Sequence, residues 1–422
     1  MSDKSVARCA LGDTSLHQPQ VQHVHLLELL MTQTHTPLPH AQPAEVGLCP
    51  ERTQRLMDVL RREVASGRLP GAVAVIARQG KIALFDAVGQ QDPGTGSVMK
   101  TDSIFRIYSM TKPVVSVAVM MLVERGQLLL SDAVSRWLPE YANQQVATDH
   151  GLELVQREAT VQDLLRHTAG LTYEFLGASS VQQQYAQMNI ASRDRSNDAF
   201  SKTLAAMPLQ FQPGSVWAYS RATDVLGRLV EVVSGHNLGA FLKQEIFDPL
   251  GMVDTGFVVP PEHHHRIAEP FAHDPDGGVP MAVIEPREVP AMDSGGGGLM
   301  STAMDYTRFL QCLRNRGELD GVRLVGPHTL DFMTADHLGD IPANGTLLPP
   351  GHGFGLGFAV RTHLGLSPLP GSVGLYYWGG IAGTTFFVDP ALDMYAMLLI
   401  QAPNQRDYYR PLFRNLVYAA LQ

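Results

Sequence analysis

Ser109 and Lys112, in the run Ser109-Met110-Thr111-Lys112-Pro113, stand three positions apart. On a helix that spacing stacks two side chains on one face, one turn apart and within hydrogen-bond reach. A serine hydroxyl is a poor nucleophile until a neighbour takes its proton. A desolvated lysine can do so once its pKa falls toward neutrality. The pair therefore points to acyl transfer through a covalent acyl-enzyme. Ser-x-x-Lys is also common by chance, as a helix cap beside a solvated lysine, so the reading needs partners. Tyr219-Ser220 supplies a phenol between Phe211-Gln212-Pro213-Gly214 and a helical stretch, Val225–Val233. Trp378-Gly379-Gly380 precedes a pair of apolar strands, and its glycines let a ligand lie close to backbone.

Other chemistry is weaker. No G-x-S-x-G is present, and Gly371-Ser372-Val373-Gly374 has the wrong spacing, which argues against a nucleophile elbow. His263-His264-His265 lie side by side on a loop and point in different directions, with no acid-and-histidine constellation around them. No metal or cofactor is expected. His167, in His167-Thr168-Ala169-Gly170, reads as a structural histidine. Ser294 to Gly298 lacks the strand-loop-helix pattern of a phosphate site and reads as a turn lining the cleft.

These residues need elements to hold them. Pro113 is tolerated only in the first turn of a helix, so Ser109 and Lys112 belong at a helix N-terminus. Val114, Val117, Ala118, Met121 and Leu122 then form a buried stripe, and Gly126 ends the helix. Unpaired N–H groups and the positive end of the dipole meet at such a terminus and favour negative charge. Order is expected to begin near Pro50, with a helix carrying Leu56, Val59, Leu60 and Val64 that Gly67 closes. Ala72–Ala77 and Ile82–Val88 read as a hairpin around Arg78-Gln79-Gly80-Lys81, and Thr384–Val388 and Met394–Ile400 as a second around Asp389-Pro390. Leu412, Leu416 and Ala420 form a last helix face. From Asp102 to Leu250 the pattern is mostly helical, and Pro260 to Gly298 is a long loop of the kind that borders sites. The expected fold is one antiparallel sheet assembled from both ends of the chain, flanked by helices, with a mostly helical domain inserted. The boundaries are 46–125 and 285–422 for the α/β part, 126–284 for the helical part, and 1–45 for a loosely ordered extension.

Bulk properties are ordinary for a soluble globular protein. The 422 residues are 45% hydrophobic and 17% charged, with a formal charge of −9. Nucleic acid and anionic membrane both demand clustered positive charge, so neither is an expected partner. Cys9, Cys49 and Cys312 are far apart and match no zinc or redox spacing, which suits free thiols in a reducing compartment. No run approaches the ~20 apolar residues of a membrane helix. Val24 to Met31 is the sole apolar patch near the start, broken by His25 and Glu28, and does not resemble a secretory signal. Met31 is a candidate true start, and the cytoplasm is the expected location.

Taken in order, these segments resemble the serine β-lactamase and penicillin-binding-protein superfamily, and within it the family VIII carboxylesterases, which are similar to class C β-lactamases. The likeness spans Gly71 to Pro411 and rests on Phe105 to Pro113, His167 to Leu171, Pro213-Gly214 to Tyr219-Ser220, and Pro249-Leu250-Gly251-Met252. Ser294 to Leu299 with Ser301-Thr302, Gly353 to Phe358, and Trp378-Gly379-Gly380 complete it. The resemblance implies Ser109 as nucleophile, Lys112 as general base, and Tyr219 as the relay to the leaving group. It implies an oxyanion hole from the Ser109 and Ile381 N–H groups. Where β-lactamases carry Lys-Thr-Gly this chain has Trp378-Gly379-Gly380, so a contact to the lactam carboxylate is lost and an apolar wall for an ester is gained. Arg221, where class C enzymes carry asparagine, restores that contact if it faces the cleft. A small-molecule ester, short-chain or aryl, is the expected substrate, with weak hydrolysis of cephalosporins. A β-lactamase, a D,D-peptidase or an acyltransferase would use the same acyl-enzyme. A non-enzymatic binding homologue fits less well, because Ser109, Lys112 and Tyr219 are all intact.

Overall fold

The computed structural model describes residues 35–422. Cys9, Met31 and the patch from Val24 to Met31 lie outside them. Eight strands form the main sheet: β1 (Gly71–Arg78), β2 (Lys81–Asp92), β3 (Ser97–Val98), β4 (His352–Phe354), β5 (Ala359–Arg361), β6 (Tyr376–Gly379), β7 (Thr385–Asp389) and β8 (Met394–Ile400). Their spatial order is β4-β5-β6-β7-β8-β1-β2-β3, with every neighbouring pair antiparallel. The first and last strands of the sequence thus meet at the centre. Ala72 lies opposite Ile400, and Arg78 opposite Met394.

β1 and β8 read as continuous apolar runs because both of their faces are covered. Side chains alternate across a strand, so neighbours sort to opposite cores. Val73, Val75 and Ala77 join Met397 and Leu399 in the larger core, which also holds Val114, Val117 and Met121 of α2 (Thr111–Glu124) and Tyr306, Phe309 and Leu310 of α4 (Ala303–Arg314). Ala72, Ala74 and Ile76 join Leu398 and Ile400 in the second core. It is closed by Leu56 and Leu60 of α1 (Pro50–Ala65), and by Tyr409, Phe413 and Val417 of α5 (Arg406–Ala419). Each large aliphatic side chain so buried contributes about 1.5–3 kcal/mol.

The expected strands and terminal helices are present, several of them extended by a few residues. Three differences have physical causes. Order begins before Pro50: Ala41 N–H donates to Ile82 O, and Ile82 N–H to Pro39 O, so residues 39–41 lie along β2. A Pro-rich edge segment of this kind carries no apolar period. The stretch read as mostly helical contains a hairpin, Gln145–Thr148 against Gly151–Leu154. It buries Val146 but leaves Leu152 and Leu154 exposed, so its apolar residues left no one-faced pattern to read. Ile104–Arg106 also pairs with Met300–Thr302, which ties the segment leading to Ser109 to the end of the long loop. Within Pro260 to Gly298 the regular element is a 3₁₀ turn at Pro261–Arg266, which holds the three histidines. No helix among the described residues is long and apolar enough to cross a membrane.

Candidate active site

The Ser109 segment is a 3₁₀ turn, Tyr108–Met110, running directly into α2. Tyr108 is in the left-handed region at φ 45°, and its hydroxyl accepts the Ile284 N–H at 2.9 Å. Pro113 is the third residue of α2, where its missing N–H costs nothing. The helix is not striped: every residue from Thr111 to Leu122 is buried, as in a core helix. Lys112 is therefore enclosed, 1% exposed, at a position where a lysine would ordinarily reach solvent.

Its ammonium is fully engaged. Lys112 Nζ donates to Ser109 Oγ at 3.3 Å, to Tyr173 OH at 3.0 Å and to the Gly296 carbonyl at 2.5 Å. Tyr219, just ahead of α3 (Ala222–Ser234), donates its hydroxyl to Ser109 Oγ at 2.7 Å. Asp224 on α3 lies behind, accepting from Ser294 Oγ at 2.6 Å and from the Gly296 N–H at 2.9 Å. Gly296 is required here, because a Cβ would sit 2.6 Å from Asp224 Oδ2. The electrostatics differ from the expected fall toward neutrality. Burial opposes the Lys112 charge, but the Tyr173 and Tyr219 phenols and the Asp224 carboxylate outweigh it. The group lies above its ordinary pKa. Burial also holds the Tyr173 phenol up, and Lys112 offsets this in part.

The two N–H groups expected to form an oxyanion hole both belong to residues lining the same cavity. Neither the Ser109 nor the Ile381 N–H donates to a backbone carbonyl among the described residues. Gly380 makes the approach possible: a Cβ there would sit 2.3 Å from Ile107 O. Arg410 on α5 donates to the Gly380 carbonyl, the other end of the peptide group that carries the Ile381 N–H.

The cavity is about 600 Å³, and Ser109, Tyr219, Trp378, Gly379 and Arg221 all line it. Trp378 is 6% exposed, so only an edge of the indole meets the cavity. Its Nε1–H donates to Tyr219 OH at 3.3 Å, a polar contact beside the expected wall. Arg221 is buried and engaged, its Nη2 on Glu174 Oε1 at 2.5 Å and its Nη1 3.8 Å from Asp224 Oδ2. Its charge is answered before any ligand arrives. Ser294 and Gly297 line the cavity, and His167 packs beneath Tyr219 with ring centroids 5.0 Å apart and Nδ1 3.1 Å from Ser220 Oγ. Burial, reinforced by the Lys112 charge, holds that imidazole neutral. His264 Nε2 bonds Val259 O, and no group of three potential metal ligands occurs among the described residues. Tyr173, Asp224 and the Gly296 carbonyl were not singled out from the sequence. Tyr173 lies two residues past His167-Thr168-Ala169-Gly170-Leu171, a segment that could have flagged it, whereas a carbonyl contact leaves no trace in residue type.

A serine bonded to a buried lysine and a phenol at the head of a core helix, on an antiparallel sheet flanked by helices, fits a class of serine hydrolase. The chain belongs to the beta-lactamase family, whose model matches residues 56–419, and within that superfamily to the family VIII esterases. It is 38% identical over 375 residues to esterase EstB of Burkholderia gladioli, covering 82% of this chain and 89% of that one. It is 36% identical over 355 residues to a Mycobacterium tuberculosis protein, Rv1367c, covering 81% and 88%. Among solved structures, EstCE1, a hydrolase with promiscuous acyltransferase activity, superposes with a TM-score of 0.73 at 28% identity, covering 87% and 98%.

Proposed function

We propose that the protein is a serine carboxylesterase acting on short-chain or aryl esters through an acyl-enzyme on Ser109. The observation that carries this is the position of Ser109 Oγ, 2.7 Å from Tyr219 OH and 3.3 Å from Lys112 Nζ at the wall of the cavity. Ser109 attacks the acyl carbon while its proton passes into the Lys112–Tyr219 pair. The oxyanion is held by the Ser109 and Ile381 N–H groups, and Tyr219 returns the proton to the departing alcohol. Water, deprotonated by the same pair, then releases the acid. The 126–284 segment serves as the helical domain that presents Tyr219, and Trp378 and Gly379 border the ester. The match to an esterase at 38% identity supports the substrate class, and unpaired Cys49 and Cys312 suit a cytoplasmic setting.

The shorter distance to Tyr219 favours a second account of the proton. To act as a base, the pair must hold one proton fewer than an ammonium beside a phenol. The two accounts differ only in whether the nitrogen or the oxygen carries that vacancy. Lys112→Arg separates them: it keeps the charge and removes the base, so retained turnover assigns the first proton transfer to Tyr219. Ser109 labelling by a phosphonate, abolished in Ser109→Ala, tests the reading as a whole. Modification of another serine would overturn it. Nitrocefin is expected to be opened slowly, far below the best ester.

A further inference from the structure

The cavity wall has an electrical character opposite to that of the whole chain. Its charged lining residues are Glu174, Arg193, Arg221, Arg406, Arg410 and Arg414, one carboxylate against five guanidiniums, in a protein of formal charge −9. Glu174 is already taken by Arg221. Arg193, Arg410 and Arg414 have no carboxylate within ion-pair distance among the described residues.

Arg414 is the extreme case. It is 5% exposed, and it makes no hydrogen bond and no ion pair among the described residues. Two aromatic faces hold it, with its Cζ 4.7 Å from the Tyr377 centroid and 5.2 Å from that of Phe387. Ring faces answer charge above and below the guanidinium plane, but they leave its in-plane N–H donors without acceptors. One helical turn earlier, Arg410 spends one nitrogen on the Gly380 and Thr384 carbonyls, and its Nε has no partner. A buried guanidinium without an acceptor is costly, and a ligand anion removes that cost. The surroundings are aromatic, from Tyr377, Phe387 and Phe413, which suits a chain or ring ending in one planar anion.

We propose that Arg414, seconded by Arg410, forms a carboxylate subsite at the α5 end of the cavity. The preferred substrates are then esters whose non-reacting end bears a carboxylate, as in a monoester of a dicarboxylic acid. This rests on the esterase reading and narrows its substrate class.

The test compares kcat/KM for two matched pairs. One is the 4-nitrophenyl monoester of adipic acid against 4-nitrophenyl hexanoate, and the other is 4-carboxyphenyl hexanoate against phenyl hexanoate. Wild type is expected to favour the carboxylate member of at least one pair by about tenfold at low salt, the worth of a charge-assisted contact. Added NaCl should shrink the preference. Arg414→Met should collapse the ratio within that pair, and Arg414→Lys should keep part of it. Adipate itself should inhibit wild type competitively, which decides the matter if Arg414→Met does not fold. No preference in either pair, or a ratio that survives Arg414→Met, overturns the subsite while leaving the esterase intact. No turnover of any of the four esters by wild type would instead overturn the esterase reading.

Discussion

The two ends of the cavity are built on opposite principles. Around Ser109 the side-chain donors are answered from within: Lys112 Nζ has three partners, and Tyr219 OH bonds Ser109 Oγ while accepting from Trp378. Around Arg414 they are left open. A reacting cluster must hold its geometry before substrate arrives, because orientation gained in advance is what lowers the barrier. A recognition site gains from the reverse, since an unmet donor makes the right ligand worth more than its uncharged analogue.

Disturbing the closed end should have the larger effects. Ser109→Ala is expected to remove ester turnover by a factor on the order of 10⁵ or more, read in single-turnover assays. Lys112→Ala and Tyr219→Phe should each lower kcat by about 10²–10⁴, with smaller changes in KM. Equal losses in kcat/KM carried wholly by KM would show that the two residues bind substrate rather than move protons. Trp378→Phe keeps the ring and deletes the N–H to Tyr219, so a loss of about tenfold in kcat is expected, the worth of one neutral hydrogen bond. An unchanged kcat would reduce the indole to a wall.

The smallest effect on rate, and a clear one on stability, lies beneath the closed end. Asp163 binds Arg157 and Arg166 and accepts from Thr168 Oγ1, bracing the turn that carries His167. Burial raises its carboxyl, but the bonds from Arg157, Thr160, Thr168 and Arg166 outweigh this and bring its pKa down to about 2. A depressed carboxyl stabilises the fold above its unfolded pKa of about 3.9, and that stability is lost as pH falls from there toward 2. Asp163→Asn should lower unfolding free energy at pH 7 by about 3 kcal/mol in urea titrations and flatten the acid limb of the stability profile. A variant with the same acid limb as wild type would show that other carboxylates set it.

The same contrast explains what could be read from the sequence. Ser109, Lys112, Tyr219 and Trp378 were legible because each is a chemically distinctive residue at a fixed offset within one segment. β1 and β8 were legible because burial on both faces forces continuous apolar runs. The open end was not. Arg414 meets the Tyr377 and Phe387 rings only after folding, and in sequence it is an ordinary arginine on an amphipathic helix. What distinguishes it is the absence of a partner, a property of three dimensions. The hairpin at 145–154 escaped for a related reason, since its strands bury little.

The pairing of β1 with β8 also sets an order of events for the chain. Residues 72 and 400 are partners at the middle of the sheet, so its central ladder cannot close until residue 400 has left the ribosome. Until then β1 waits with an unfilled edge, and α1 and α2 wait for the strands that complete their cores. Contacts of such long sequence separation fold slowly and expose apolar surface for longer. Truncation of the last two strands and α5 should therefore yield an aggregating chain rather than a smaller folded one.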